Sequence, residues 1–305
     1  ESVMKPNRIR KTAHVKIIAV GLLTQMLTGF TACQAASPEF RRHYELGEDF
    51  LERDQYKLAI PEFDEAIKAE GGKGKDAAAA LVQRGTAYSA LASYDRALKD
   101  LSQAVKMDPA SDLGYNNRGA VYLRTQKPEA ALADFDRAMQ INPKNKYAAV
   151  NRAGVFLLMT DPGKRAAATL RWLDAGGWQT DFAGHAAILS SLAYLASGDR
   201  KNFDALVALS LKKLDRLKWP YSVLKHFQGK ADAEAVLEQA QDSTYNLTQA
   251  QCFLALEDYF KGKKDGISAR LDFVDKHGTI NSVEYWLGKA FLTKLRSPGK
   301  PLANK

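Results

Sequence analysis

Residues 111–143 read SDLGYNNRGAVYLRTQKPEAALADFDRAMQINP. Tyr115, Gly119 and Tyr122 recur four and three residues apart, and Ala131, Phe135 and Ala138 repeat that spacing after Lys127-Pro128. Such intervals place each triplet on one helical face, and proline is tolerated in a helix's first turn, where its missing N–H has no partner to lose. Two facing helices are predicted, with Gly119 and Ala131 as small contact points and Phe135 filling the space beside them. The landmarks return at a 34-residue interval, Gly85 with Gly119, Ala97 with Ala131, Ala104 with Ala138 and Pro109 with Pro143. One supersecondary unit is therefore copied and stacked. A lone helical hairpin cannot bury its apolar face, whereas stacked copies bury a continuous seam and leave an extended concave surface. The period predicts a binding protein before it predicts an enzyme.

The order of small residue, aromatic, Ala, Phe, Ala and Pro resembles the tetratricopeptide repeat (TPR). Leu81, Gly85, Tyr88, Ala97, Leu101, Ala104 and Pro109 follow it, and an earlier copy reads His43, Leu46, Gly47, Phe50, Ala59, Phe63 and Ala66. The resemblance implies an all-α fold, a right-handed α-solenoid of TPR helical hairpins with a degenerate helical extension at the carboxy terminus. Residues 41–143 are expected to form three repeats and 144–296 degenerate hairpins, with 34–40 as a linker and 297–305 as a disordered tail. Gly47 and Gly85 lie 38 residues apart, and the excess is assigned to a flexible loop insertion, Gly71-Gly72-Lys73-Gly74-Lys75. That insertion lacks the GxxxxGK[ST] pattern and a preceding apolar strand, so it is not read as a phosphate loop. In the fourth copy Ala149, Ala153 and Phe156 hold the pattern, and one added residue near Asp161-Pro162-Gly163 shifts Ala166 and Leu170. Further helices are expected at about 182–197, 201–217, 246–261 and 264–277. Asn281 with Glu284 three residues on predicts a capping box for a last helix through Tyr285, Trp286 and Leu292. Almost nothing reads as a strand.

The chain has 305 residues, 46% hydrophobic, and a net charge of +9. The basicity is regional. Residues 1–33 hold five Lys/Arg and one acid, 39–143 hold 15 basic and 18 acidic side chains, and 144–305 hold 24 and 16. The positive half could attract nucleic acid, anionic head groups or an acidic partner. Its lysines come as scattered pairs, Lys212-Lys213 and Lys263-Lys264, without the clustered arginines and interleaved aromatics of a nucleic-acid surface, which argues against nucleic acid.

The amino terminus has signal-peptide grammar: Lys5, Arg8, Arg10, Lys11 and Lys16, then an apolar run from Ile17 to Phe30, then small residues. The run is short for a membrane span. Leu27-Thr28-Gly29-Phe30-Thr31-Ala32-Cys33 resembles a bacterial lipoprotein box, which implies acylation of Cys33 and, with Gln34 after it, delivery to the outer membrane. The competing reading is an ordinary signal peptide cut near Ala35 or Ala36, with Cys33 discarded. Cys252, in an apolar helical stretch, is read as a packed core residue.

Little points to chemistry. His43, His185, His226 and His277 stand apart without HExxH or a Cys/His cluster, and no GxSxG elbow occurs, so neither a metal, a cofactor nor catalysis is expected. Arg84, Arg118 and Arg152 recur at 34-residue intervals, as do Asp100 and Asp134. They form either an anion-reading ladder or internal ion pairs between a hairpin's two helices, and matched ladders of opposite sign favour the pairs. TPR architecture implies that Leu113, Asn116, Ala120 and Arg124, then Tyr147, Val150 and Leu157, face the concavity and meet a protein partner. The Lys and Asn pattern with which many TPR domains grip a terminal carboxylate is absent, so an apolar or mixed peptide segment is favoured.

Signal segment, TPR hairpins and helical tail together resemble the bacterial periplasmic TPR lipoproteins typified by new lipoprotein I. Trp219-Pro220-Tyr221-Ser222-Val223-Leu224 and the stretch from Ala250 to Trp286 carry the resemblance beyond the repeats. It implies a periplasmic, membrane-anchored, non-catalytic adaptor that recruits cell-wall hydrolases or a processing protease, and it allows a homodimer. A soluble secreted TPR module, a basic adaptor for anionic glycan or nucleic acid, and a hidden hydrolase stay open as alternatives.

Overall fold

Several helix starts in this chain are written by short polar side chains that satisfy otherwise unpaired N–H groups. Ser37 accepts from the Phe40 amide, Ser111 from Gly114, Asn145 from Ala148, Asp199 from Asn202, Asp232 from Ala235 and Ser243 from Asn246. Each such cap stabilises its helix by about 1 kcal/mol. The computed structural model describes residues 36–159, 161–279 and 282–296, and those residues form fifteen α-helices and no strand. The expected signal segment, Cys33, Asn281 and the expected 297–305 tail lie outside the described residues.

Five hairpins follow one another. They are α1 (Pro38–Glu52) with α2 (Tyr56–Ala69), α3 (Gly74–Ala90) with α4 (Tyr94–Met107), α5 (Asp112–Arg124) with α6 (Pro128–Ile141), α7 (Lys146–Phe156) with α8 (Pro162–Asp174), and α9 (Ala183–Ala196) with α10 (Arg200–Lys213). Short helices α11 (Tyr221–Phe227) and α12 (Ala233–Ala240) lead to a last hairpin, α13 (Thr244–Phe260) with α14 (Ile267–His277), and to α15 (Val283–Arg296). The first helices of successive hairpins pack in series, α1 on α3, α3 on α5, α5 on α7, α7 on α9, and α9 then meets α13. The result is an α-solenoid of TPR hairpins.

In the first three hairpins the small residue of the first helix meets a large residue 16 positions later. A Cβ placed on Gly47 would lie 2.7 Å from the Phe63 ring, on Gly85 2.8 Å from Leu101, and on Gly119 2.8 Å from Phe135. Real Cβ atoms do not approach so closely, so these glycines set the helix spacing. The turns repeat as well. Asp54, Ala92 and Gln126 adopt left-handed backbone with φ of 57°, 55° and 58°, and Asp161 continues the series at 52°. The added residue of the fourth copy is absorbed ahead of α8, where Ala166 is still fully buried.

Two expectations are corrected. The excess between Gly47 and Gly85 is not mainly loop: α3 begins at Gly74 and has 17 residues against 13 in α5. The alanines from Ala77 to Ala80 are strong helix formers, and Asp76 in the first turn favours the positive helix end, so the extra length becomes one more helical turn. The stretch expected to be helical to 217 ends at Lys213. For the last helix, the Ser282 hydroxyl accepts from the Tyr285 amide at 3.1 Å.

Burial is uneven along the array. The first two hairpins hold small clusters around Phe63 and Leu101, whereas one continuous core runs from Leu123 to Leu292. In a pure solenoid each repeat touches only its neighbours. Here α15 packs on α13 and α14 and also reaches back to α7. A buried polar knot helps close that half: the Gln249 Oε1 of α13 accepts from Trp219 Nε1 at 2.7 Å and lies 3.0 Å from His185 Nε2 of α9.

Candidate functional site

The inner face of the array is built from the first helices of the hairpins, and neighbouring first helices are tied by polar side chains about one repeat apart. Gln83 Nε2 donates to Glu48 Oε1 at 2.8 Å, Asn117 Nδ2 to Thr86 Oγ1 at 3.0 Å, and Asn151 Nδ2 to Asn116 Oδ1 at 3.2 Å. Burial pushes the Glu48 carboxyl above its usual range, partly offset by the hydrogen bonds from Gln83 and Tyr44. The ladder fixes the spacing of one first helix against the next, and with it the curvature a partner would meet.

Of the seven residues expected to face a partner, three are packed away. Asn116, Val150 and Leu157 are 7%, 5% and 6% exposed. Leu113 is half-buried on α5. Tyr147 stands edge-on to Phe182 with ring centroids 5.1 Å apart, and the Lys146 ammonium lies over both rings. Arg124 donates to the Ser89 hydroxyl and lies 5.7 Å above the Trp286 ring, and burial lowers its guanidinium pKa.

Trp286 belongs to α15, the element that sequence reasoning did not connect to this face. Besides Arg124 of α5 it meets Tyr94 of α4, edge-on at 6.5 Å. Val283 and Leu287 press on α7 where a Cβ on Gly154 would lie 2.6 Å from Val283 and 3.4 Å from Leu287. The chain's own last helix therefore covers the inner side of α7 and touches the preceding two repeats. The lack of a side chain at Gly154, where Gly119 has its counterpart one residue earlier in the repeat, was the only local signal for that approach.

The arginine column resolves as internal pairing. Arg84 binds Asp100 through two bonds of 2.7 and 2.8 Å, and Arg118 binds Asp134 through two of 2.8 Å. Arg84 also reaches Asp64 of the preceding hairpin. Arg152 has no acid 16 positions on. It donates to the Ala168 carbonyl there and to Asp136 at 3.2 Å. These guanidiniums are spent on the fold.

Reactive groups are few. Among the described residues no group of three or more His, Cys, Asp and Glu could hold a metal ion. Cys252 is fully buried and burial pushes its thiol far up, which disfavours the nucleophilic thiolate. The nearest approach to an acid–base pair is His226 Nε2 at 3.0 Å from the buried Glu257 carboxylate, which also takes Lys261 at 2.6 Å. His226 Nδ1 faces the Ala231 carbonyl at 2.9 Å. The His226–Glu257 contact joins α11 to α13, while the Lys261 pair stays at the end of α13 and the Ala231 contact in the loop after α11. No described helix is long and apolar enough to cross a membrane.

Comparison with known proteins identifies repeats. Residues 78–111 and 113–145 each match a tetratricopeptide repeat model. No curated protein matches the chain. Among solved structures, a tetratricopeptide repeat protein from Parabacteroides merdae superposes with a TM-score of 0.50 at 15% identity, over 83% of this chain and 98% of that one. MamA gives 0.47 at 18% identity over 58% and 93% of the two chains. YrrB, described as a TPR protein with an unusual peptide-binding site, gives 0.45 at 16% identity over 62% and 91%.

Proposed function

We propose that this protein is a non-catalytic scaffold of the bacterial cell envelope, held at the outer membrane through an acylated Cys33, that assembles protein partners on its TPR hairpins. One observation carries the scaffold reading: two matched repeats sit within a stack of hairpins whose first helices present a shared inner face. A face of that kind takes extended or helical protein segments. The envelope setting rests on the sequence from Lys5 to Cys33 and on the resemblance to periplasmic TPR lipoproteins. That resemblance supports an envelope enzyme, a cell-wall hydrolase or a processing protease, as the recruited partner, and a homodimer as the assembled form.

The covering of α7 by α15 directs the partner to the inner side of α1, α3 and α5, where Leu113 and Ala120 are only half-buried. A partner captured from envelope extracts by the mature chain, then purified, provides the test. Leu113→Ser combined with Ala120→Asp should weaken its affinity by about tenfold or more, since apolar anchors and rejected charges dominate such interfaces. Mass spectrometry of the mature amino terminus should find Cys33 diacylated. Wild-type affinity in the double variant removes the inner face as the binding surface, and an unmodified chain beginning at Ser37 removes the anchor.

A further inference from the structure

A cleft of about 620 Å³ opens between α10, α11 and α12, far along the chain from the inner face of the first repeats. Its walls carry Lys212, Arg216, Lys225 and Lys230 and include no carboxylate. All four cations are exposed, and none of these side chains takes part in a hydrogen bond or ion pair among the described residues. That sets them apart from Arg84, Arg118, Arg152, Lys261 and Lys263, each of which holds an acid.

Acids do occur nearby, and none of them lines the cleft. Asp215 accepts from the Leu217 amide, Asp232 caps α12, and Glu234 and Glu238 lie on α12 beside the face that Ala235 and Gln239 give to the cleft. Convergent unpaired cations raise the local potential, and recession between helices focuses it. Apolar side chains line it too, Ala208, Leu211 and Ala235, and Ser222 is part of the same wall, its hydroxyl oxygen buried and without a protein partner. Leu217, 90% exposed, follows Arg216 in the chain.

We infer that this cleft is a second docking site, for an acidic peptide segment that carries an apolar residue between its carboxylates. Charge complementarity selects the acids, and the apolar lining of Ala208, Leu211 and Ala235 selects the residue between them. A recessed groove cannot lie flat against a bilayer, and a single arginine with one aromatic, Tyr221, is a poor reader of nucleic acid. The site would let the scaffold hold one partner on the inner face and an acidic tail of the same or another partner on α10–α12.

The test is fluorescence polarisation with the full chain and a labelled peptide of alternating glutamate and leucine, at low and high salt. Replacing Lys212, Arg216, Lys225 and Lys230 by Ala should weaken binding about tenfold or more and flatten its salt dependence. A charge-matched variant at Lys106, Lys127, Lys144 and Lys264 should stay within about twofold of wild type. Equal losses in the two quadruple variants would mean a diffuse field and overturn the site. Displacement of the peptide by millimolar inorganic phosphate would reassign it to a small anion. Loss of binding to phosphatidylglycerol vesicles in the cleft variant, with no saturable peptide binding by wild type, would reassign it to a membrane.

Discussion

At the scale of single residues, the repeat is a set of contacts 16 positions apart, and each can be broken alone. Gly119 faces the Phe135 ring where a Cβ would sit at 2.8 Å, and Phe135 itself is fully buried. Gly119→Leu must push the ring into close-packed neighbours, so denaturant unfolding should show a loss of about 1 to 3 kcal/mol. An unchanged midpoint would mean that α5 and α6 can separate freely at this seam. The glycines and the arginine–aspartate pairs were both legible, because each was printed at a fixed interval and a shared interval implies a shared environment. Arg152 shows the limit of that logic. Its column is in register, but Ala168 stands where Asp100 and Asp134 stand in the earlier copies and Thr169 follows it, so no acid faces Arg152 across its hairpin and the guanidinium turns to Asp136 and a carbonyl instead.

At the scale of elements, the junction of α11 and α13 depends on pH. The hydrogen bond to Glu257 holds His226 above its ordinary value of 6.5 despite desolvation. Burial pushes Glu257 up, but the bonds from His226 and Lys261 outweigh it and leave the carboxyl below 4.5. The stability due to charged His226 is therefore complete below about 6.5 and is lost as pH rises through its raised folded value. That due to Glu257 is present above about 4.5 and is lost as pH falls through its lowered value. Denaturant midpoints should fall from pH 6 towards pH 9, and His226→Gln should remove that alkaline decline. An identical pH profile in the variant would assign the decline to other groups. No sequence motif announced this junction, since His226 and Glu257 lie 31 residues apart and outside the 34-residue pattern.

At the scale of the whole molecule, the feature that matters most is the return of α15 to α7. It turns a row of nearest-neighbour hairpins into an array whose second half shares one core and whose inner face is partly filled by its own chain. Gly154→Leu should drive a side chain into Val283 and Leu287 and weaken that docking by about 1 to 3 kcal/mol. Hydrogen–deuterium exchange should then accelerate in α15 and α7 while α1 to α4 keep their protection. Uniform acceleration across all helices would instead mean that the array unfolds as a single cooperative unit. Because α15 lies where a segment bound to the inner side of α7 would lie, the same variant should also show whether that surface accepts a partner once it is uncovered.

The sequence by itself determined the helical hairpins, their small-to-large seams, the internal fate of the arginine column and the burial of Cys252. Each is a local consequence of spacing, and spacing is what a repeat conserves within one chain. Which of Leu113, Asn116, Arg124, Tyr147, Val150 and Leu157 stays accessible was decided only by the tertiary structure. Periodicity reports which face of a helix is apolar or small, not what will lie against it. The contact between residues 154 and 283 spans over a hundred positions outside the repeat's register. The cleft on α10–α12 follows the same rule: its lysines and arginine were visible as scattered charges, and only the packing of three short elements brought them to one wall without an acid among them.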